Sequence, residues 1–273
     1  MEVLIPILIL FGIAIVCAII LTVSSALFGV KENEKTAAVR DCLPGANCGA
    51  CGYSGCDGYA KAISEGETDN PSLCIPGGDG VAKGIAEIMG LEAADVVEQV
   101  AYVACNGSCL PSERKYVYDG PKSCVAANMY YSGDRDCTFA CLGYGDCVKV
   151  CPRDAICINY DRYVAEIDPR KCIGCGLCVK ECPNGIISLI NDTSRVVVKC
   201  SSHNKGAQVR KVCSNGCIAC GKCEKSCPSG AIKVENNLAT IDYEKCTGCG
   251  ICHDVCPVKC IHAGNFICGA HFE

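Results

Sequence analysis

The first strong pattern in the chain is an apolar run without polar punctuation. Val3 to Val23 reads VLIPILILFGIAIVCAIILTV and carries no charge. At about 1.5 Å per residue it makes a helix about 31 Å long, the depth of a bilayer's hydrocarbon core. Lys31, Lys35 and Arg40 follow the run instead of preceding it, which argues for a retained anchor over a cleaved leader. The bias of basic residues to the inner side then places everything after residue 30 in the cytoplasm. Beyond a charged linker the pattern changes to amphipathic. Over residues 80–104, Ile85, Ile88, Met89, Val96, Val97 and Val100 recur at helical spacing, and Gly90 divides the stretch into two expected helices. Later segments alternate. AICINYDRYVAEID (155–168) and AIKVENNLATID (231–242) predict β-hairpins with polar turns at Asp161 and at Asn236-Asn237. Residues 137–192 and 217–273 each carry such a hairpin between two cysteine runs, so one module is used twice.

Composition makes the cysteines the central question. The chain has 273 residues, 30 of them Cys, with five Phe, eleven Tyr and no Trp. That density signals disulfides in a short secreted chain. In a reducing compartment the same thiols bind metal. The formal net charge of −5 leaves no electrostatic footprint for nucleic acid.

Three runs fit C-x2-C-x2-C-x3-C-P: Cys172-Cys175-Cys178-Cys182, Cys217-Cys220-Cys223-Cys227 and Cys246-Cys249-Cys252-Cys256. This is the bacterial ferredoxin spacing for [4Fe–4S] clusters, whose fourth cysteine serves the other cluster of the pair. Cysteines three apart wrap three corners of a cubane, and intervening glycines such as Gly174 and Gly248 let the backbone come close. Zinc also uses C-x2-C pairs, but with two thiols per knuckle and the knuckles far apart. Cys249 to His253 spells the haem c attachment motif, yet both of its cysteines are used inside the ferredoxin run, and His253 is expected as a surface or packing residue. A fourth run is irregular: Cys137, Cys141, Cys147 and Cys151 before Pro152. It is expected to be a ferredoxin run with a widened loop.

The crossing rule then gives four ligand sets. They are Cys137, Cys141, Cys147 and Cys182; Cys172, Cys175, Cys178 and Cys151; Cys217, Cys220, Cys223 and Cys256; and Cys246, Cys249, Cys252 and Cys227. Cys105, Cys109 or Cys124 could replace a ligand of the irregular run. Nearer the N-terminus, NCGACGYSGC followed by Cys74 supplies Cys48, Cys51, Cys56 and Cys74. Four thiols there could hold zinc, but the glycine-rich loop and the neighbouring sites favour a fifth [4Fe–4S] cluster. Of the remaining cysteines, Cys17 is expected as a small apolar residue, and Cys157 and Cys260 as buried in or near strands.

An apolar anchor, then NCGACGYSGC, then ferredoxin modules resembles the B component of the Rnf complexes, the ion-translocating ferredoxin:NAD+ oxidoreductases. The resemblance implies an electron-transfer subunit of a translocase, passing electrons from ferredoxin toward NAD+ while Na+ or H+ crosses a membrane. Shorter members of that family have two ferredoxin clusters, whereas four are expected here. Other readings are a polyferredoxin subunit of a hydrogenase or CO dehydrogenase system, or a non-redox metal-binding scaffold.

Together these features predict an α+β chain. Its expected parts are a transmembrane anchor (1–30), a four-cysteine [4Fe–4S] domain (31–80), a helical and loop connector (81–136), a first ferredoxin-like module (137–198), a basic linker (199–216) and a second module (217–273). No G-x-G-x-x-G follows a strand, no phosphate loop is present and no flavin-attachment stretch is recognisable, so this chain is expected to bind neither flavin nor NAD. A flavin-bearing partner must turn single electrons into a hydride. No side chain stands out as catalytic. Lys199, Lys205, Arg210 and Lys211 form a stretch without an acid that could dock an acidic ferredoxin; otherwise they are a solvated loop.

Overall fold

The computed structural model describes residues 4–28, 33–93, 95–107, 114–193 and 196–263. Cys109 and Cys268 lie outside them. Helix α1 runs Leu4–Phe28. Among the described residues no helix is long and apolar enough to cross a membrane. The N-terminal transmembrane helix and the single-pass anchoring expected from Val3–Val23 therefore do not hold.

A small helical unit comes next. Helix α2 (Glu34–Cys42) starts at Asn33, whose side chain accepts from the Lys35 N–H. Helix α3 (Cys56–Ser64) and helix α4 (Gly78–Met89) complete it, and Gly90 closes α4 in the left-handed conformation. Val39, Tyr59, Ile63 and Ile85 are wholly buried between these helices, around Cys56 and Cys74.

The segment after Gly90 is not the second helix its spacing suggests. It forms strand β1 (Gln99–Val103). Val100 packs with Ile190 and Val197, while Ala101 and Val103 join a different core, so both faces are covered. A strand buried on both sides has no need of alternation, and pairing overrides the helical spacing.

The two modules repeat one another. The first holds α5 (Cys124–Asn128), α6 (Asp146–Lys149), the hairpin β2 (Ile156–Asn159) and β3 (Val164–Ile167), α7 (Leu177–Glu181) and β4 (Ile187–Asn191). Then come β5 (Val196–Val198) and α8 (Gly206–Val212). The second module holds α9 (Lys222–Ser226), the hairpin β6 (Ile232–Glu235) and β7 (Leu238–Ile241), α10 (Ile251–Asp254) and β8 (Ile261–Ala263). Both expected hairpins are present, pairing Ile156 with Ile167 and Ile232 with Ile241. Asn236 and Asn237 turn the second with φ of 50° and 63°, as a two-residue hairpin requires. Each module borrows a strand from outside: β4 pairs with β1, and β8 with β5, both antiparallel.

Candidate iron–sulfur centres

The backbone of the cysteine loops follows one rule in both modules. Counting from the first cysteine of a loop, the third and fifth residues are left-handed. They are Gly174 and Gly176 after Cys172, Gly248 and Gly250 after Cys246, and Ala219 and Gly221 after Cys217. The irregular run obeys the same rule only if it starts at Cys141, with Gly143 and Gly145 at φ of 76° and 81°. Its loop is therefore not widened. Tyr144 stands where Cys220 stands in the second module. Each loop then enters a short helix (α6, α7, α9 or α10) carrying the next cysteine, and Cys147, Cys178, Cys223 and Cys252 are all buried. After each Cys-Pro the chain turns left-handed again, at Asp154, Gly185, Gly230 and Lys259. This turn aims the following N–H back at the thiol; Ala155 N–H donates to Cys151 Sγ at 3.3 Å.

The cysteines gather around cavities. Cys151, Cys172, Cys175 and Cys178 line one, where Ala101 N–H donates to Cys172 Sγ at 3.4 Å. Cys217, Cys220, Cys223 and Cys256 line another, together with Cys260. Cys141, Cys147 and Cys182 line a third, but its fourth cysteine is Cys124 and not Cys137. Cys137 instead lines a cavity with Cys105, Cys200 and Cys213. The grouping of Cys137 with Cys141, Cys147 and Cys182 is thus not the one the fold makes. In the helical unit, Cys48, Cys51 and Cys56 all lie close enough to Cys74 to raise its thiol electrostatically. Cys246 and Cys249 stand in the same relation to Cys252, whereas the Cys227 sulfur lies 3.5 Å from Ser229 Oγ.

These surroundings suit a cluster better than an ion. Burial, and then crowding by neighbouring thiols, pushes Cys141 and Cys178 up to about 12 and Cys223 up to about 11. Thiols so placed surrender their protons to a metal centre that offsets the charge. Among the described residues no three His, Cys, Asp or Glu side chains converge on one ion. A zinc site would draw its sulfurs to about 2.3 Å from a single atom. A cubane holds them apart on separate corners, and these cysteines line cavities instead of meeting at one point. One further thiol lies against the ligands: buried Cys260 is 3.7 Å from Cys256 and also contacts Cys217, and these contacts push its thiol up. The same contacts hold the Cys256 and Cys217 thiols below their ordinary range.

Other expected residues fall as follows. His253 is exposed beside Asp254. Lys205, Arg210 and Lys211 are exposed on and before α8, but Lys199 is buried and faces the cavity of Cys105 and Cys200, so it cannot belong to a surface patch.

Three family models match the chain: a putative Fe-S cluster over residues 43–76, a 4Fe-4S binding domain over 165–188 and a 4Fe-4S dicluster domain over 210–263. The chain is 43% identical over 260 residues to the B component of the Na(+)-translocating ferredoxin:NAD(+) oxidoreductase complex of Acetobacterium woodii, covering 95% of this chain and 78% of that one. It is 43% identical to the B component of the proton-translocating counterpart in Clostridium ljungdahlii, with 86% and 82% covered. It is 40% identical to the B component of an ion-translocating oxidoreductase complex of Methanosarcina acetivorans, with 88% and 90% covered. The chain belongs to the B-component family of the Rnf complexes. Within that family it is an iron–sulfur electron-transfer subunit carrying [4Fe–4S] clusters. A non-redox scaffold does not account for these matches. Cys105, Cys124, Cys137 and Cys200 lie outside all three matched segments.

Proposed function

We propose that this subunit relays single electrons from reduced ferredoxin, through a row of [4Fe–4S] clusters, to flavin-bearing partners. Those partners reduce NAD+ within a membrane-associated complex that moves Na+ or H+. Ferredoxin spacing supports three sites: Cys151, Cys172, Cys175 and Cys178; Cys217, Cys220, Cys223 and Cys256; and Cys227, Cys246, Cys249 and Cys252. The grouping of the thiols supports two more: Cys48, Cys51, Cys56 and Cys74; and Cys141, Cys147 and Cys182 with Cys124. When bound, such clusters exchange one electron at a time at potentials set by charge, exposure and hydrogen bonds to sulfur.

The observation that carries this reading is that neighbouring sites lie within electrostatic reach of one another. Cys147 of one site and Cys178 of the next interact electrostatically within the first module, and Cys175 senses Cys48 of the helical unit. A structural metal has no reason to stand so close to its neighbours; a relay does. On the outside, Lys205, Arg210 and Lys211 supply positive charge that would steer an acidic ferredoxin to α8.

Stopped-flow mixing of the anaerobic chain with reduced ferredoxin tests both points. The visible absorbance of the chain should bleach, and Arg210→Glu with Lys211→Glu should slow the second-order phase at low salt but not at high salt. A colourless chain, or one that stays oxidised in excess reduced ferredoxin, refutes the relay. An unchanged rate refutes the docking surface alone.

A further inference from the structure

Resting on the relay reading, we propose that Cys105, Cys137, Cys200 and Cys213 hold a sixth [4Fe–4S] cluster at the junction of the two modules, and that Cys124 completes the site from which Cys137 is thereby released. The four thiols line one cavity that holds no carboxylate. They come from four separate segments, and they come in equivalent pairs. Cys105 follows strand β1 by two residues and Cys200 follows β5 by two. Between strand and cysteine, Ala104 N–H donates to Ile186 O at 2.7 Å, and Lys199 N–H donates to Cys260 O at 2.7 Å. Cys137 precedes Cys141 by four residues, as Cys213 precedes Cys217. Each module thus contributes the same two positions to a site with approximate twofold symmetry.

The backbone around the sulfurs repeats too. Cys105 Sγ accepts from the N–H groups of Gly107 and Cys141. Cys200 Sγ accepts from those of Ser202 and Cys217, the latter at 3.3 Å. Preorganised N–H groups aimed at cysteine sulfur are what an iron–sulfur ligand requires. The buried Lys199 also lines the cavity, and its positive charge complements thiolates carrying a net negative cluster.

The exchange of Cys124 for Cys137 has its own support. In the first module Tyr144 occupies the place of Cys220, leaving that loop one thiol short. Cys124, brought in by α5, accepts from the N–H groups of Tyr144, Gly145 and Asp146, so its sulfur sits on the loop that lacks one. A junction site also closes the row. Cys141 and Cys217 are ligands of the flanking sites, and their own N–H groups touch Cys105 and Cys200. An electron crossing between modules therefore meets a centre at each step.

Native mass spectrometry and iron analysis of the full chain, purified without oxygen, test the count. Six cubanes, about 24 irons, are expected. Five, about 20, overturn the proposal, as does zinc in place of the sixth. The paired variants test the ligands. Cys124→Ala and Cys137→Ala should each remove one cubane, and the double variant should remove two. If the double variant loses only one, the two cysteines serve a single site and the proposal falls. Cys200→Ala with Cys213→Ala should remove about four irons while the EPR signals of the other clusters persist; should that variant lose all its iron, the wild-type count decides. Six cubanes that ferredoxin cannot reduce would sink the relay and leave the sixth site standing.

Discussion

The two modules share a backbone and differ in who supplies the sulfur. Cys141 and Cys217 both accept an N–H from the following hairpin, Ala165 donating in the first case and Ala239 in the second. The Asp168 and Asp242 N–H groups both return to the alanine opening their hairpin, at 2.8 Å. Yet the second module meets its ligand needs from its own regular spacing, while the first replaces a loop cysteine by Tyr144 and calls on Cys124. The Tyr144 hydroxyl then donates to Asp134 at 2.9 Å, and that buried carboxylate also pairs with Arg114. What the first module loses in local ligation it gains as a link to the connector. A repeated fold can thus keep its geometry while its chemistry is shared out to distant residues.

The largest effect should come from reversing that exchange. Cys124→Ala should cost the first module one cubane, and adding Tyr144→Cys should restore it, because the loop already has the length and left-handed positions of its counterpart. Iron content and the EPR spectrum of the reduced chain read the outcome. Failure of Tyr144→Cys to rescue, in a chain that keeps its other clusters, would show that the two loops are not equivalent.

Much of this is legible in the sequence, and the illegible part has a physical cause. The regular runs, the hairpins at 155–168 and 231–242 and the four-cysteine set from Cys48 to Cys74 are local patterns, set by spacing and turn chemistry within about thirty residues. The site at the junction is not local. Cys105 and Cys200 are isolated thiols whose meaning depends on β1 and β5 pairing with strands far along the chain. A signal exists in the four-residue offset of Cys137 from Cys141 and of Cys213 from Cys217, but only register fixes which cysteine begins a loop, and Tyr144 disguises it. Strand β1 has the spacing of a helix for the same reason: what makes it a strand is β4, nearly ninety residues away. Lys199 looks like surface charge because a linear stretch does not reveal which of its lysines turns inward.

A middle-sized effect separates the modules at the left-handed residue. Gly143 has φ of 76°, and a Cβ there would lie 2.9 Å from the Tyr163 carbonyl oxygen. Its counterpart Ala219 already carries a Cβ at φ of 53°. Gly143→Ala should destabilise the first module by about 1–3 kcal/mol. Ala219→Gly should be near neutral, since relief of about 1–2 kcal/mol of strain is offset by about 0.5–1 kcal/mol of glycine entropy. Anaerobic urea titration, followed by loss of cluster absorbance, should show a lowered midpoint for the first substitution only. Equal shifts would mean that the two loops bear the same strain.

The smallest effect should be a shift in potential without loss of iron. Cys260 and Ile186 occupy the same place, four residues beyond Cys256 and Cys182, and both are buried. Only the cysteine can donate to the ligand sulfurs. A thiol donor draws electron density from a ligand and favours the reduced cluster, so it raises the potential of its site. Cys260→Ala should therefore lower the potential of the cluster at Cys217, Cys220, Cys223 and Cys256, and Ile186→Cys should raise that of the first module's counterpart. Redox titration monitored by EPR distinguishes these shifts from loss of a centre. If Cys260→Ala instead removes about four irons, Cys260 is a ligand and the assignment of Cys256 to that site is wrong. An unchanged potential at full iron content would reduce Cys260 to packing and leave the two modules electronically alike at this position.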